Sequence, residues 1–345
     1  AADVGRWPLA PSGTSLLWTG MNKGKRSITA DFRSPAGREV VTRLVADAGI
    51  ALTNTVGRDW LSYESLAQAR PDLIHLRIEG TRGGGAAVDY TVNAEIGFPL
   101  VTGPPEHAGP VNHVLPAWDV ACGLYAAVGL LAAERRRSRT GEGAAIRLPL
   151  YDVALATAGN LGLLAEAQLG TDRPRIGNHL FGGFGRDFEL ADGRRVMVVA
   201  LTTRHFTELC EVTGLAETVT ELQRLLGADF SVDGDRYRHR ESLAALFAPW
   251  FAALTLAELR ERLSGRAVLW APYNRFSELG LTANPLLGEV DQPGVGRIRV
   301  PATPLDTGDR TAPPAPAPRL GEHTDGVLAE LGLDPAELRA KGVVA

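Results

Sequence analysis

Apolar and polar positions change period repeatedly over the first eighty residues. In "RSITADF" they alternate, which predicts a strand. "SPAGREVVTRLVADA" spaces its apolar residues at helical intervals, with Ser34 placed to cap the first free N–H groups and Pro35 in the first turn. "IALTNT" reads as a second strand, "SYESLAQARP" as a short helix and "LIHLRIEG" as a further strand. Strands alternating with helices predict parallel βα units. After a glycine-rich loop at residues 80–85 comes "WDVACGLYAAVGLLAAERRRSRTGEG", a long apolar helix kept thin by Ala and Gly. "AAIRLPLYDVALATAGNLGLLAEAQLG" then predicts a short strand and a second long helix.

The pattern shifts near residue 180. Glycines and aromatics in "GNHLFGGFGRDF" lead into "FELADGRRVMVVAL", a hairpin turning at Asp192-Gly193. Residues 203–265 are mostly amphipathic helix, and their apolar positions belong to a core. "GVGRIRVPATPLD" predicts a late strand, the proline-rich residues 311–318 an extended connection, and "TDGVLAELGLDPAELRAKGVV" a closing helix pair. The expected organisation is α/β: a large domain over residues 1–180, a small α+β domain over 181–290, and a segment, 291–345, that returns to the large domain.

Composition narrows the function. The 345 residues are 45% hydrophobic and 22% charged, enough for real cores. A net charge of −4 speaks against a general nucleic-acid binder, so a phosphate-bearing ligand needs a local basic site. Cys122 and Cys210 are far apart and belong to no ligand spacing, and His107 and His113 lack a completing carboxylate, so no metal is expected. No signal-peptide pattern or uninterrupted run of about 20 apolar residues occurs, which predicts a cytoplasmic protein with no membrane partner. The chain opens without Met, and we expect that an N-terminal piece precedes it.

Several residues are candidates for chemistry. Asp119 stands at the start of the thin helix, where free N–H groups and the helix dipole keep a carboxylate ionised; it is either a helix cap or a nucleophile. Asn22, Lys23, Gly24 and Lys25, with Arg26, form a basic turn able to meet a phosphate, or simply a solvated one. Asn54 closes a predicted parallel strand, where open sheets place ligands. Gly182, Gly183 and Gly185 can present N–H groups to an oxyanion or serve as a hinge. No G-x-S-x-G elbow is present to activate a serine.

Taken together, "MNKGKRSITADFRSPAGREVVTRLVADA", "SYESLAQARPDLIHLRI", "WDVACGLYAAVGLLAAERRRSRTGEGAAIRLPLYDVAL" and "PRLGEHTDGVLAELGL" resemble the class III CoA-transferase family, in order over nearly the whole chain. The resemblance implies a Rossmann-like open parallel sheet with a smaller domain, an interlocked homodimer, an acyl-CoA substrate and no cofactor other than the CoA it carries. It makes Asp119 the nucleophile and aligns residues 22–25, Asn54 and Arg58 with CoA-contacting positions. It also places Asp89 and Tyr90 in the segment that closes over the thioester. "VDYTVNAEIGFPLVTG", "VNHVLPAWD" and "VLWAPYNRF" are more similar to members that move CoA between the two carboxyls of mesaconate than to intermolecular transferases. An α-methylacyl-CoA racemase is the nearest rival; there a His precedes the position of Asp89, and here Val88 does. An intermolecular CoA-transferase and a non-catalytic CoA-binding subunit are further rivals.

Overall fold

The computed structural model describes residues 2–305, 308 and 315–345. The chain forms α1 (Leu16–Met21), runs extended over residues 25–31, and continues through α2 (Pro35–Ala48), β1 (Ile50–Thr53), α3 (Tyr63–Leu66) and β2 (Ile74–Glu79). Two short helices, α4 (Asp89–Glu95) and α5 (Phe98–Val101), precede the long α6 (Ala117–Thr140), β3 (Ala144–Pro149), α7 (Leu150–Asn160) and α8 (Leu163–Gln168). The hairpin of β4 (Phe184–Glu189) and β5 (Arg195–Ala200) is followed by α9 (Thr203–Thr213), α10 (Ala216–Leu226), α11 (Asp233–Arg238), α12 (Arg240–Ala252), α13 (Leu256–Arg262) and β6 (Leu269–Pro272). A second hairpin, β7 (Leu287–Gln292) and β8 (Gly296–Pro301), leads to α14 (Thr324–Glu330) and α15 (Pro335–Ala340).

Contacts divide the chain into two units. The first contains residues 1–88, Ala117–Val153 and Gly280–Ala345; the second contains Asp89–Pro116 and Ala154–Leu279. Residues 89–116 and 154–180 group with the hairpin and its helices, and the two stretches are tied to each other: Arg175 donates to the carbonyls of Leu100 and Pro99 at 2.8 and 3.2 Å and Gly177 to that of Gly103 at 3.0 Å. The C-terminal stretch from Gly280 onward packs with the first unit. Residues 311–314 of the proline-rich stretch lie outside the described residues.

The first unit is built on a parallel sheet in the order β1-β2-β3, with Ile50 opposite Ile74 and Ile74 opposite Ala144. α2 starts where expected: the Ser34 hydroxyl accepts from the Gly37 N–H at 3.0 Å, and Gly49, at φ +66°, ends the helix. "RSITADF" is extended but not a ladder strand. Its polar groups instead meet the end of the chain, Asp31 N–H donating to Val343 (2.7 Å) and His323 N–H to Ser27 (2.9 Å), over a core of Val40, Leu328, Val343 and Val344.

α6 lies on β2 and β3, and Gly129 faces them: a Cβ there would make ordinary contact, 3.7 Å from Leu76 Cδ1 and 4.0 Å from Ile146 Cδ1. Among the described residues α6 alone reaches the length and hydropathy of a membrane span. The next apolar stretch breaks at Gly162, φ +82°, so one expected helix is two, α7 and α8.

The second unit holds the antiparallel sheet β4-β5-β6 under α9 to α13. Phe184, Phe188, Phe206, Phe247 and Phe251 form its buried centre, with Phe188 and Phe251 stacked at 4.3 Å.

Candidate active site

Asp119 is the third residue of α6, inside the helix, so it is not the N-cap. Its place relative to the sheet follows from the two ends of α6. At the C-terminal end, the Arg137 guanidinium donates to the carbonyls of Gly49 at 2.6 Å and Asp72 at 3.1 Å, just before β1 and β2 begin. The N-terminal end of α6 therefore points to the carboxyl ends of the strands. From Gly129, which packs on Leu76, Asp119 is ten residues up the helix, about 15 Å. From Leu76 to Glu79, where β2 ends, is about 10 Å. The exposed Asp119 thus stands about 5 Å beyond the sheet, where open α/β sheets receive ligands. One turn on, burial and the Asp119 charge push up the pKa of the Cys122 thiol.

The same end of the sheet carries a buried carboxylate that the sequence pattern does not single out. Glu79 is 4% exposed and accepts from Arg147 Nη2 and from Arg77 Nε, both at 2.6 Å. Arg147 first, then Arg77, holds its carboxyl below the usual range. Arg77 faces Arg147 across the strands, so Glu79 also relieves a like-charge pair. Arg147 further donates to the Arg82 carbonyl at 2.9 Å, and Arg82 Nε to Asp152 at 2.9 Å, which ties down the glycine-rich loop. Gly80 is required in that loop, since a Cβ would meet the Ala87 nitrogen at 2.3 Å.

The predicted CoA-contacting residues fall in two places. The basic turn curls on itself: Lys25 Nζ donates to Asn22 Oδ1 at 3.1 Å, Lys23 to the Gly20 carbonyl, and Gly24, at φ +68°, to the Ala315 carbonyl at 3.0 Å. Arg26 is held by both oxygens of Glu330 at 2.7 and 2.8 Å. Gly24 and Lys25 line a cleft of about 240 Å³ with Pro316, Pro318 and His323.

Arg58 belongs to a second cleft, of about 510 Å³, with Asp31, Phe32, Arg33 and Val343. There Arg58 lies 5.2 Å over the Phe32 ring, which is 6.0 Å from Trp60, and Arg38 lies 5.9 Å over Trp60. Sequence reasoning misses Phe32 and Arg33 because nothing in their local pattern marks them; only folding brings them to Arg58. Asn54 is exposed just after β1, at the same carboxyl edge as Glu79.

The remaining candidates are in the second unit. Asp89 opens α4 and is buried at 3%, while Tyr90 is half exposed. Gly185 belongs to β4, where a Cβ would meet the Val198 carbonyl at 3.0 Å, so packing accounts for this glycine. Gly182, at φ +78°, and Gly183 form the loop proper. Among the described residues no three His, Cys, Asp or Glu side chains are grouped to hold a metal ion.

Comparison with known proteins places the chain in a family. The family model for CoA-transferase family III matches residues 1–324. The chain belongs to CoA-transferase family III. It is 48% identical over 360 aligned positions to 2-methylfumaryl-CoA isomerase of Chloroflexus aurantiacus, covering 99% of this chain and 88% of that protein. Succinyl-CoA:mesaconate CoA-transferase of Haloarcula marismortui is 30% identical over 341 positions, covering 93% of this chain and 83% of that protein. Among solved structures, a CAIB/BAIF family protein from Brucella suis superposes with a TM-score of 0.76 at 26% identity, covering 95% of this chain and 89% of that one. The family III assignment makes the chain an enzyme that handles CoA thioesters, and it bears out the expected family and α/β class.

Proposed function

We propose that the protein moves CoA between the two carboxyls of mesaconate, converting 2-methylfumaryl-CoA into 3-methylfumaryl-CoA within one binding event. The observation that carries this reading is the 48% identity to the Chloroflexus isomerase along 99% of the chain. The standing of Asp119 beyond the carboxyl ends of β2 and β3 supports it.

In this reading the Asp119 carboxylate adds to the thioester carbonyl, the C–S bond breaks, and CoA leaves as a thiolate from a mixed anhydride. The thiolate attacks the aspartyl carbonyl, releasing mesaconate and forming an aspartyl-CoA thioester. The other mesaconate carboxylate then attacks that thioester, a second anhydride forms, and the thiolate returns to the new acyl carbon while Asp119 leaves as carboxylate. Atoms and charge balance with no acceptor, water or cofactor consumed. Each addition builds an oxyanion, for which Gly182 and Gly183 are the proposed N–H donors. Holding the released diacid raises its effective concentration enough to outcompete escape.

CoA recognition is proposed for the Arg58 cleft, whose guanidinium groups suit phosphates and whose Phe32 face suits a purine. Asn54 is proposed to contact CoA at the strand edge, and Asp89 and Tyr90 to close over the thioester. Lys25 and its turn are weaker contributors, because their polar groups are already engaged. A homodimer is proposed as well. Val120, Leu124, Val128 and Leu131 form a stripe along α6 that is 48 to 70% exposed, and Ile50 and Leu52 are exposed on β1.

The 30% identity to succinyl-CoA:mesaconate CoA-transferase favours a second reading, transfer to a separate acid. The two separate in one experiment: 2-methylfumaryl-CoA is incubated with the protein and isotopically labelled free mesaconate. Intramolecular transfer yields an isomer of unchanged mass with no label. Label in the CoA ester, or no reaction until succinyl-CoA and free acid are supplied, would replace it with the second reading.

A further inference from the structure

A loop rich in glycine is expected to be loose. The loop between α8 and β4 is not built that way. At its foot, the Asn178 side chain bonds to Asp187 on β4, whose carboxylate is also held by Arg195 Nε at 2.8 Å. The next residue, His179, has a side chain only 8% exposed, and its Nε2 lies 3.0 Å from Glu241 Oε1 on α12. Glu241 is itself shared with Arg186 of β4, at 3.6 Å. Leu180 N–H then closes on the Gly185 carbonyl at 2.8 Å. Phe181 is clamped between Arg173, 3.8 Å over its ring, and Tyr237, at 5.2 Å. Phe184 at the far end is fully buried in the aromatic core. Between these fastenings Phe181 and Gly182 are exposed, while Gly183 is buried.

We infer that His179 is a positioning residue for this reaction: set against Glu241, and backed by Asn178 on Asp187, it rivets the foot of the loop so that the exposed Gly182 N–H stands ready for an oxyanion. This rests on the reading of the loop given under Proposed function. The chemistry of the rivet is a neutral imidazole whose Nε2 faces a carboxylate oxygen at 3.0 Å. Burial keeps the ring neutral by lowering its pKa, and Nδ1 is buried with no hydrogen-bond partner. An exposed polar contact of this kind contributes little by itself, since Glu241 is 67% exposed. Burial of His179 and the second fastening at Asn178 lift this one above that case. Preorganised donors need no rearrangement as charge develops, so the rivet acts on turnover and not on substrate binding.

The test uses the full chain as wild type, His179→Ala and His179→Gln, read by hydrogen exchange of the peptide spanning residues 180–185 and by steady-state kinetics on 2-methylfumaryl-CoA. His179→Ala is expected to speed loop exchange about tenfold, the loss of one charge-assisted hydrogen bond. The same change should lower kcat about 10- to 100-fold through misplaced donors, with KM within about threefold. His179→Gln, whose amide N–H reaches the same carboxylate, should restore both. Glu241→Ala, a change at an exposed residue that leaves the fold intact, should repeat the His179→Ala result. Unchanged exchange, faster exchange with unchanged kcat, or a rise in KM alone would each overturn the inference. A wild type that forms no isomer counts against the proposed reaction, and the exchange arm then decides the rivet separately.

Discussion

The two units close their apolar surfaces differently. In the second, six phenylalanines meet under a three-stranded antiparallel sheet, and Phe184, Phe247 and Phe251 are completely buried. In the first, the sheet is covered by α6 over β2 and β3 only, while Leu52 on β1 is 55% exposed and Leu124 and Leu131 on α6 are 66 and 70% exposed. The unit that carries the glycine loop holds its own core. The unit that carries Asp119, the proposed nucleophile, leaves an apolar face open on the very helix that bears it. Stability and chemistry should therefore separate between them under mutation.

The largest effect is expected at Asp119. Asp119→Ala removes the only atom set proposed to form the covalent intermediates, so isomer formation should fall by about 10⁴-fold or more. The residue is exposed in the first turn of α6, so thermal unfolding should move little. Turnover within tenfold of wild type would end the covalent mechanism.

Next comes the contrast between the cores. Phe251→Ala opens a cavity against Phe188 and Trp250, whose rings lie at 4.3 and 4.9 Å, and should cost about 3–5 kcal/mol of the second unit's stability in denaturant unfolding. Leu124→Ser on α6 should change the stability of an isolated chain by less than about 0.5 kcal/mol. Its effect should appear in sedimentation or light scattering as weaker self-association. Equal destabilisation by both changes, with unaltered association, would remove the distinction between the units.

What is legible in the sequence follows the same divide between local and long-range causes. Ser34 and Pro35 announce α2, and Asp192-Gly193 the β4–β5 hairpin, because caps and turns are written in adjacent residues. Asp119 stands out because its helix is thin and its position is favoured by the helix dipole. "RSITADF" alternates like a strand yet pairs with no ladder, since its partners, Val343 and His323, come from the other end of the chain. Local pattern does not announce β6 and β7, and the Arg58 cleft, the Glu79 cluster and the His179 fastening are made of side chains far apart in sequence. Glu79 leaves one sign, a carboxylate closing an otherwise buried strand run.

The smallest expected effect is on pH dependence, and it again addresses each unit by itself. His75 in the first unit and His179 in the second both have pKa values lowered from 6.5, in each case chiefly by burial. For His75 the Arg77 charge adds to this, and for His179 Arg186 and Arg240 add to it while Glu241 and Asp187 oppose it. A histidine with a depressed folded pKa binds its proton more readily when unfolded. Stability is then fully present above about pH 6.5 and falls as pH drops toward the lower folded value. The carboxylates of Glu79 and Asp187, also lowered, give up their contribution only in the more acidic range below the ordinary carboxylate pKa. Melting between pH 7.5 and 5.5 should therefore report the histidines. His75→Gln should flatten that slope for the first unit and His179→Gln for the second, with the unfolding of each followed by hydrogen exchange of β2 and β4 peptides. If either substitution leaves its own unit's slope intact, the buried imidazole in that unit is not what senses the acid.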